Sequence, residues 1–417
     1  MQNWGGNVTF TAPALIDATS VAQVRRAVAS GGRVRAIGTR HSFNELADTD
    51  GTLVSVLDMP PDFHLDEHAG TVSFAAGTRY GAVAAYLVQH GLALHNTGSL
   101  PHISVAGAIA TGTHGSGVDL GNLATAVRAL ELVGPGGDLR RIAAGDGDFA
   151  GSVVALGSLG VVTRVTLAVQ PSYLIRQDVY EHLPWPVLLA DVDAVVGAAY
   201  SVSVFLDWRG DTVRQVWLKR RVSSEDEPVA DDLLGAARNP SATASIISPI
   251  DNTTPLGVAR PWAFTLPHFR LDATPSAGDE IQSEYFVPRE HAADALRAVR
   301  EQAPVFAPHL LISELRTVAA DDLWLSPANG RDSLAIHFTW RNDTPAVLDV
   351  LPAIEAALAP FAPRPHWAKV HTMAPQAVLE TYPDLPRMRD LITRADPQGV
   401  FRNEHLDRAL GLQREFA

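Results

Sequence analysis

Up to Pro171, short apolar runs alternate with polar residues and are separated by glycines, a pattern typical of strands joined by turns and short helices. Residues 81–90 have helical spacing and end at Gly91, the residue type that most often follows a helix. The turn 134–137 is rich in glycine and predicts a hairpin between its flanking strands. The strands predicted in the part of the chain before Pro171 are 33–37, 53–57, 71–75, 127–133, 139–143 and 161–169.

Beyond Pro171 the predicted elements are longer. They are a hairpin of strands 201–207 and 212–220, strands at 281–287, 310–318, 333–340 and 366–372, and helices at 291–302, 345–360 and 375–395. This order favours an antiparallel sheet with helices packed on one face. Residues 223–255 are acidic and then rich in Ser, Thr, Asn and Pro, which predicts a surface excursion.

A chain of 417 residues is longer than one typical domain. We therefore predict an α+β protein with a first domain at 1–171 and a second domain at 172–372. Residues 373–417 form a carboxyl-terminal segment, and the turn-rich run 396–403 predicts its return to the first domain.

The composition, with 46% apolar and 19% charged residues, is that of an ordinary globular protein. The net charge is 33 − 46 = −13, which argues against a nucleic-acid partner or an anionic membrane surface. The chain has no cysteine, so disulfides, thiolate chemistry and iron–sulfur clusters are excluded. The first residues resemble no signal peptide, and we expect a cytoplasmic monomer.

Residues 80–118 contain no Asp, Glu, Lys or Arg, and the second half of this stretch, 97–117, consists mainly of small and hydroxyl-bearing residues. Such backbone can lie closely against a large flat ligand, and its N–H groups can bind anions. A second small-residue turn, Gly38-Thr39-Arg40-His41-Ser42, follows the strand at 33–37. Together the two segments predict an extended cofactor that carries phosphates.

His41 is the sharpest local candidate in these segments. An imidazole on a loop that binds a cofactor can attack an electrophilic ring carbon and form a covalent link. The alternative is a histidine that merely completes its turn. The presence of segment 97–117 favours the functional interpretation.

Polar side chains also alternate along the predicted strands of the second domain. Glu314 and Arg316 share one face of strand 310–318, and His337 and Thr339 share one face of strand 333–340. Lys369 lies on the predicted strand 366–372. If these strands are neighbours, the shared face is suited to bind a polyol, with cations that stabilise a developing alkoxide. The alternative is a solvated face with salt bridges.

Other site classes have weaker support. His95, His102 and His114 lack the spacing of a zinc site, so no metal is predicted. The chain has no G-x-S-x-G elbow, no G-x-G-x-x-G after a strand and no P-loop, which argues against a serine hydrolase, a Rossmann domain and a P-loop NTPase.

Several motifs, in order, resemble the FAD-linked alditol oxidases of the vanillyl-alcohol-oxidase fold, whose relatives include sugar-lactone oxidases. They are Asn3-Trp-Gly-Gly-Asn7, Gly38-Thr-Arg-His41-Ser-Phe-Asn-Glu45, Ser99-Leu-Pro-His-Ile-Ser-Val-Ala-Gly107, Ala110-Thr-Gly-Thr-His-Gly-Ser-Gly117, Gly160-Val-Val-Thr163, Arg364-Pro-His-Trp-Ala-Lys369 and Asp396-Pro-Gln-Gly-Val-Phe-Arg-Asn403. Two positions depart from the family pattern: Arg40 and Ala368 stand where relatives commonly have glycine.

The resemblance implies a two-domain fold, with an FAD-binding domain built from both chain ends and an antiparallel-sheet substrate domain between them. It implies FAD attached covalently to His41. The other implied cofactor-binding residues are Ala36, Ile37, Gly38, Thr39, Arg40, Ser42, Ser99, Ser104, Gly107, Thr111, Gly112, Thr113, His114 and Val162. The implied substrate-binding residues are Ser99, Glu314, Arg316, Thr339 and Lys369. We assign catalytic roles to Arg316, Lys369, Glu314 and His337, the last by its position beside Thr339.

The implied activity is oxidation of the terminal hydroxyl of acyclic sugar alcohols, such as xylitol and sorbitol, to aldoses. Hydride passes to flavin N5, and O2 is reduced to H2O2. Three alternatives stay open at this point: an aldonolactone oxidase or dehydrogenase, a protein that binds a nucleotide or polyol without turning it over, and a metal hydrolase.

Overall fold

The computed structural model describes residues 1–224, 227–240, 253–273 and 278–412. Within these ranges the strands are β1 Ala14–Asp17, β2 Val34–Ile37, β3 Thr52–Ser55, β4 His64–Asp66, β5 Thr71–Ala75, β6 Leu92–Ala93, β7 Val127–Val133, β8 Leu139–Ala143, β9 Val161–Ala168, β10 Gln170–Pro171, β11 Leu174–Glu181, β12 Ser201–Leu206, β13 Gln215–Val222, β14 Asp232–Leu233, β15 Ala236–Arg238, β16 Ala259–Pro261, β17 Glu280–Pro288, β18 Leu310–Val318, β19 Ser333–Arg341 and β20 Arg364–Pro365. The α-helices are α1 Val21–Ala29, α2 Tyr80–Gln89, α3 Val105–Ala110, α4 Phe149–Val153, α5 Trp185–Ala190, α6 Val192–Val196, α7 Ala292–Glu301, α8 Ala303–Phe306, α9 Thr344–Leu358, α10 Pro375–Leu379, α11 Leu385–Ala395 and α12 Glu404–Leu410.

The first part of the chain forms two main sheets. Strands β1, β3 and β2 make a small parallel sheet, and β4, β5, β9, β7 and β8 make an antiparallel sheet in that order. Strand β9 alternates strictly between buried and half-buried residues, as the period of two in its sequence predicts. The predicted hairpin around residues 134–137 is present as β7 and β8.

The second part is dominated by a ten-stranded sheet, in which β12, β18, β19 and β17 are consecutive neighbours. Helices α5 to α9 cover one face of it, where Leu315 and Ile336 are fully buried in a core shared with those helices. Because side chains alternate between faces, Glu314 and His337 point to the opposite face. The predicted antiparallel sheet with helices on one side is therefore confirmed.

The carboxyl-terminal segment packs on the first part of the chain. The Val34 N–H donates to the Val400 carbonyl oxygen at 2.8 Å. The Asn403 amide donates to the carbonyl oxygens of Glu45, Leu46 and Asp48 at 2.7–3.2 Å. The predicted domain boundaries at 171 and 372 stay a prediction.

Two local predictions differ from the structure, and one long strand was missed. The predicted strand at 366–372 is wrong, because strand β20 ends at Pro365 and a turn follows it. Helix 375–395 is two helices, α10 and α11, because Pro386 in the first turn of α11 supports a helix start and not a helix interior. Strand β11 was not predicted. The predicted excursion 223–255 lies partly outside the described residues, and its described part includes β14 and β15.

One helical stretch, Thr344–Phe361, is long and apolar enough to cross a membrane by length and composition alone. Its residues Val347, Leu351, Ile354 and Leu358 are fully buried in the core beside the ten-stranded sheet. This one-sided burial is typical of a core helix in a globular protein.

Candidate functional site

A cavity of about 300 Å³ lies between the first part of the chain and the uncovered face of the ten-stranded sheet. It joins the residues that the sequence had suggested for cofactor and substrate. Its lining includes Ala36, Ile37, Gly38, Thr39, Arg40, His41, Ser42, Ser99, Ser104, Gly107, Thr111, Thr113, His114, Val162, Glu314, Arg316, His337, Thr339 and Lys369.

Two small-residue segments meet on one side of this cavity. A Cβ atom added to Gly38 would lie 2.5 Å from the Ser104 hydroxyl, and one added to Gly107 would lie 3.0 Å from it. Glycine at position 38 therefore lets the 36–42 loop approach the start of α3, and glycine at both positions leaves backbone on the cavity wall. This close approach fits the binding of a large flat group such as FAD.

His41 is held on the same side. Its ring stacks on Trp4, with centroids 5.0 Å apart and planes at 21°. Burial lowers the pKa of His41 to about 4, so the imidazole is neutral at neutral pH and keeps a free lone pair. Its buried Nδ1 atom has no hydrogen-bond partner among the described residues. A neutral, unpartnered ring nitrogen at a cofactor cavity is suited to nucleophilic attachment.

Arg40 has a backbone conformation that glycine adopts more readily than other residues. Arg40 has a φ of +63°, in the left-handed region that costs a side-chain-bearing residue roughly 1–2 kcal/mol. Its guanidinium donates to the Gln2 carbonyl oxygen at 3.2 Å, and its own carbonyl accepts from the Trp4 N–H at 2.8 Å. These bonds hold the strained residue in place, so the loop keeps its shape without glycine.

Gly112 is a predicted cofactor-binding residue that does not line the cavity. Its φ is +71°, and an added Cβ would lie 2.8 Å from Pro327. Glycine is thus required there by backbone conformation and packing, and its contact with the cofactor stays a prediction.

The polar wall opposite His41 is built from three neighbouring strands. In register, Glu314 of β18 lies beside His337 of β19, which lies beside Glu284 of β17. Thr339 follows on β19 two residues from His337, and Arg316 follows on β18 two residues from Glu314, so all five share the cavity face. The sequence interpretation of a shared polar face is confirmed for the two strands that it named.

Glu284 is the centre of this wall, and its side chain is fully buried. Its oxygens lie 2.9 Å from Arg316 Nη2, 2.8 Å from Lys369 Nζ and 3.1 Å from His114 Nε2. Burial alone would raise the pKa of Glu284, but the charges of Lys369, His114 and Arg316 outweigh it and hold the pKa well below its usual range. Glu284 is therefore a carboxylate that fixes two cations at the cavity.

Lys369 reaches the wall from a turn and not from a third strand. The N–H groups of His366 and Val370 donate to Glu284 and Gln282 of β17, which are only two residues apart. Residues 367–369 consequently loop out of the ladder, in a turn closed by the Lys369 N–H on the His366 carbonyl at 3.0 Å. This bulge sends the lysine side chain into the cavity.

The Lys369 ammonium has three N–H groups and, among the described residues, two protein acceptors. One is Glu284, and the other is His337 Nδ1 at 2.7 Å. Because His337 Nδ1 accepts this bond, its Nε2 carries the ring proton and donates to the Thr339 hydroxyl at 3.0 Å. Burial lowers the pKa of Lys369, although Glu284 opposes this effect. One ammonium N–H thus remains for a ligand oxygen.

Glu314 and Arg316 complete the wall. Arg316 Nε lies 3.5 Å from Glu314 Oε2, and Arg316 Nη1 lies 3.5 Å from the Ser99 hydroxyl. Burial would raise the pKa of Glu314, but Arg316 and His268 outweigh it and keep the group ionised. The wall therefore carries two carboxylates and two cations that a polyol can bridge.

The sequence interpretation missed Glu284, His268 and Lys219. A signal for two of them existed. Glu284 is an acidic residue in the middle of a predicted core strand, and Lys219 and Lys369 are the only lysines among 33 basic residues of the chain. His268 gave no signal, because it lies in a loop without periodicity. Among the described residues, no group of three His, Asp or Glu side chains is placed to hold a metal.

Comparison with known proteins identifies the family. The chain is 46% identical, over 97% of both chains, to a Streptomyces sp. (strain IKD472 / FERM P-14339) protein named alditol oxidase. The chain belongs to the alditol oxidase family. A model of the FAD binding domain matches residues 12–143, and a model of D-arabinono-1,4-lactone oxidase matches residues 278–409. The first match includes His41 and the small-residue segments, and the second includes most of the polar wall.

More distant relatives agree with this placement. An L-gulono-1,4-lactone dehydrogenase of Mycobacterium tuberculosis (strain CDC 1551 / Oshkosh) is 29% identical over 98% of both chains. A solved structure titled solvent-stable cholesterol oxidase aligns with a TM-score of 0.77 at 15% identity, over 99% of this chain and 97% of that one. The predicted α+β, two-domain vanillyl-alcohol-oxidase-type fold is confirmed.

Proposed function

We propose that this protein oxidises the terminal hydroxyl of acyclic sugar alcohols, such as xylitol and sorbitol, to the aldose and reduces O2 to H2O2. The observation that carries the proposal is the wall of Glu284, Glu314, Arg316 and Lys369 facing a cavity with an FAD-binding segment on its other side. The 46% identical relative named alditol oxidase supports it.

When bound, FAD would accept the hydride that leaves the carbinol carbon and would then pass two electrons to O2. Ser42, Ser104 and the backbone of 36–42 would hold it. Arg316 and the free N–H of Lys369 would donate to the oxygen of the reacting carbinol and stabilise its alkoxide character as its proton passes to solvent. Glu314 accepts from the neighbouring hydroxyl, and Thr339, fixed by His337, binds further along the polyol.

Peroxide release across a panel of four- to six-carbon alditols tests this proposal. Xylitol and sorbitol should give peroxide and an aldose in equal amounts. The match to a lactone oxidase model favours one second candidate, an aldonolactone oxidase or dehydrogenase. Faster turnover of L-gulono-1,4-lactone than of every alditol would favour that candidate and contradict the proposal. A purified protein without flavin absorbance would indicate a binding protein without turnover.

We also propose that the FAD is bonded covalently to His41. Replacing His41 by alanine should remove this bond, so that the flavin separates from the protein on denaturation and precipitation. His102→Ala is the matched control, because His102 is close enough to His41 to affect its pKa but does not line the cavity. Its flavin should stay with the denatured protein. Flavin retained by denatured His41→Ala would contradict the assignment.

The cytoplasmic location and monomeric state expected from the sequence stay predictions.

A further inference from the structure

A second lysine–histidine pair lies beside Glu314, and its histidine, His268, also lines the cavity. Lys219 of β13 is 1% exposed, and its Nζ lies 3.0 Å from His268 Nδ1. His268 Nε2 lies 2.7 Å from Glu314 Oε1. The pair therefore forms a continuous hydrogen-bonded connection from the sheet interior to a carboxylate of the cavity wall.

Each of the three N–H groups of the Lys219 ammonium has a hydrogen-bond acceptor. Besides His268 Nδ1, its Nζ contacts the carbonyl oxygens of Leu266 at 2.5 Å and Pro267 at 3.2 Å. Three acceptors correspond to the three N–H groups of a charged ammonium. Burial lowers the pKa of Lys219 to about 7, and Glu314 opposes this effect. Lys219 thus anchors the 266–268 segment against the sheet.

The His268 ring is fixed in both position and proton placement. It packs edge-on against Phe205 and Trp217, with centroid distances of 5.6 and 5.3 Å. Burial, followed by the charge of Lys219, lowers its pKa to about 4, so the ring carries one proton at neutral pH. In its ammonium form Lys219 can only donate to Nδ1, which leaves that proton on Nε2, where it faces Glu314 and, at 3.4 Å, the Ser203 hydroxyl.

Composition gives an independent reason to regard this pair as functional. Of 33 basic residues, 31 are arginines, and the two lysines both lie at this wall, Lys219 buried and Lys369 half-buried. Each donates to the Nδ1 atom of a histidine whose Nε2 faces a cavity residue. A compact ammonium can saturate three acceptors in a small space, whereas a guanidinium cannot.

We propose that Lys219 and His268 are positioning residues for Glu314: Lys219 fixes the Nε2–H form of His268, and that N–H holds the Glu314 carboxylate in place for a substrate hydroxyl. The inference rests on the proposed function in one respect, the contact of Glu314 with substrate. The arrangement of the pair itself does not depend on it.

The proton position can be measured without turnover. We would label the enzyme with isotopic histidine and use NMR to read which ring nitrogen of His268 carries the proton, assigning the signal by its loss in His268→Gln. The expected result is a proton on Nε2 in the wild type and a mixture of both forms in Lys219→Met. A proton on Nδ1 in the wild type, or an unchanged signal in Lys219→Met, would overturn the proposal.

Kinetics test the consequence for Glu314. A hydroxyl contact made equally in the ground and transition states affects KM and leaves kcat nearly unchanged. Lys219→Met should raise the KM for xylitol about tenfold, as expected for a weakened charge-assisted hydrogen bond, and change kcat less than about twofold. His268→Gln keeps a donor and an acceptor and should stay within about threefold of the wild-type KM, whereas His268→Leu should match Lys219→Met.

Gln177→Met is the matched control. Gln177 pairs with Lys219 in the sheet register, is equally buried, and forms no hydrogen bond to His268 among the described contacts. Its KM and its His268 signal should equal those of the wild type. A KM increase in Gln177→Met as large as in Lys219→Met would show general disruption of the sheet and overturn the positioning role. An enzyme that oxidises no alditol would refute the proposed function instead, and the NMR result would still decide the assignment of the pair.

Discussion

Replacing Lys369 by methionine should lower kcat/KM for xylitol by at least about 100-fold, the usual cost of removing a preorganised donor at a developing oxyanion. Lys369 Nζ is fixed by Glu284 at 2.8 Å and His337 at 2.7 Å, so its remaining N–H has a single direction, into the cavity. Methionine keeps the length and apolar volume of the side chain but offers no donor. Steady-state kinetics under air, normalised to bound flavin, measure the effect.

Two comparisons separate this effect from structural damage. Flavin content should be unchanged in Lys369→Met, because the residue lies on the substrate side of the cavity. Lys219→Met removes the other lysine and should leave kcat nearly intact. A Lys369→Met enzyme with wild-type kcat/KM would remove Lys369 from the mechanism.

Replacing Glu284 by glutamine should lower the free energy of unfolding by about 3–5 kcal/mol at neutral pH, because it leaves two buried cations without their shared carboxylate. The urea midpoint of the flavin-loaded protein measures this loss. Glu355→Gln is the matched control: Glu355 is also a buried carboxylate, but its partners, Tyr285 and Thr372, are neutral. Its loss should be only about 1–2 kcal/mol.

A double variant tests whether charge is the cause. Glu284→Gln combined with Lys369→Met removes one charge of each sign, so it should lose less stability than the sum of the two single variants. Simple additivity would show that Glu284 and Lys369 are not coupled, and would contradict the central position of Glu284.

The difference in unfolding free energy between the wild type and Glu284→Gln should also depend on pH. Glu284 has a depressed pKa in the folded protein, so its contribution is complete above the pKa of an unfolded glutamate, about 4.3, and is lost as the pH falls toward the folded value. The gap between wild type and Glu284→Gln should therefore be constant near neutral pH and narrow below about pH 4. A gap that widens in acid would have the wrong sign.

The parts of the site that sequence predicted are those carried by regular strands. Alternation along 310–318 and 333–340 placed Glu314, Arg316, His337 and Thr339 on one face, because the period of a strand determines the face of each residue. Alternation failed at 366–372, since a bulge displaces Lys369 from the ladder and a bulge leaves no periodic signal.

Buried polar residues hid another part of the fold. Strand β11 was missed because Arg176, Gln177 and Asp178 interrupt its apolar pattern. All three are buried, and Arg176 pairs with Asp178 at 3.1 Å. Burial of such residues depends on partners that are distant in sequence, so no local pattern shows it. Glu284 did stand out as an acidic residue in a predicted core strand, but its partners Arg316, Lys369 and His114 are likewise distant in sequence.

Anaerobic rapid mixing of the purified, flavin-loaded protein with xylitol is the most direct test of the central claim, that the cavity holds a polyol between the flavin and the Glu284-centred wall. In one turnover without O2, xylitol should bleach the visible flavin band completely, and admission of O2 should restore it with release of peroxide. A band that xylitol leaves unchanged, while L-gulono-1,4-lactone bleaches it, would contradict the account.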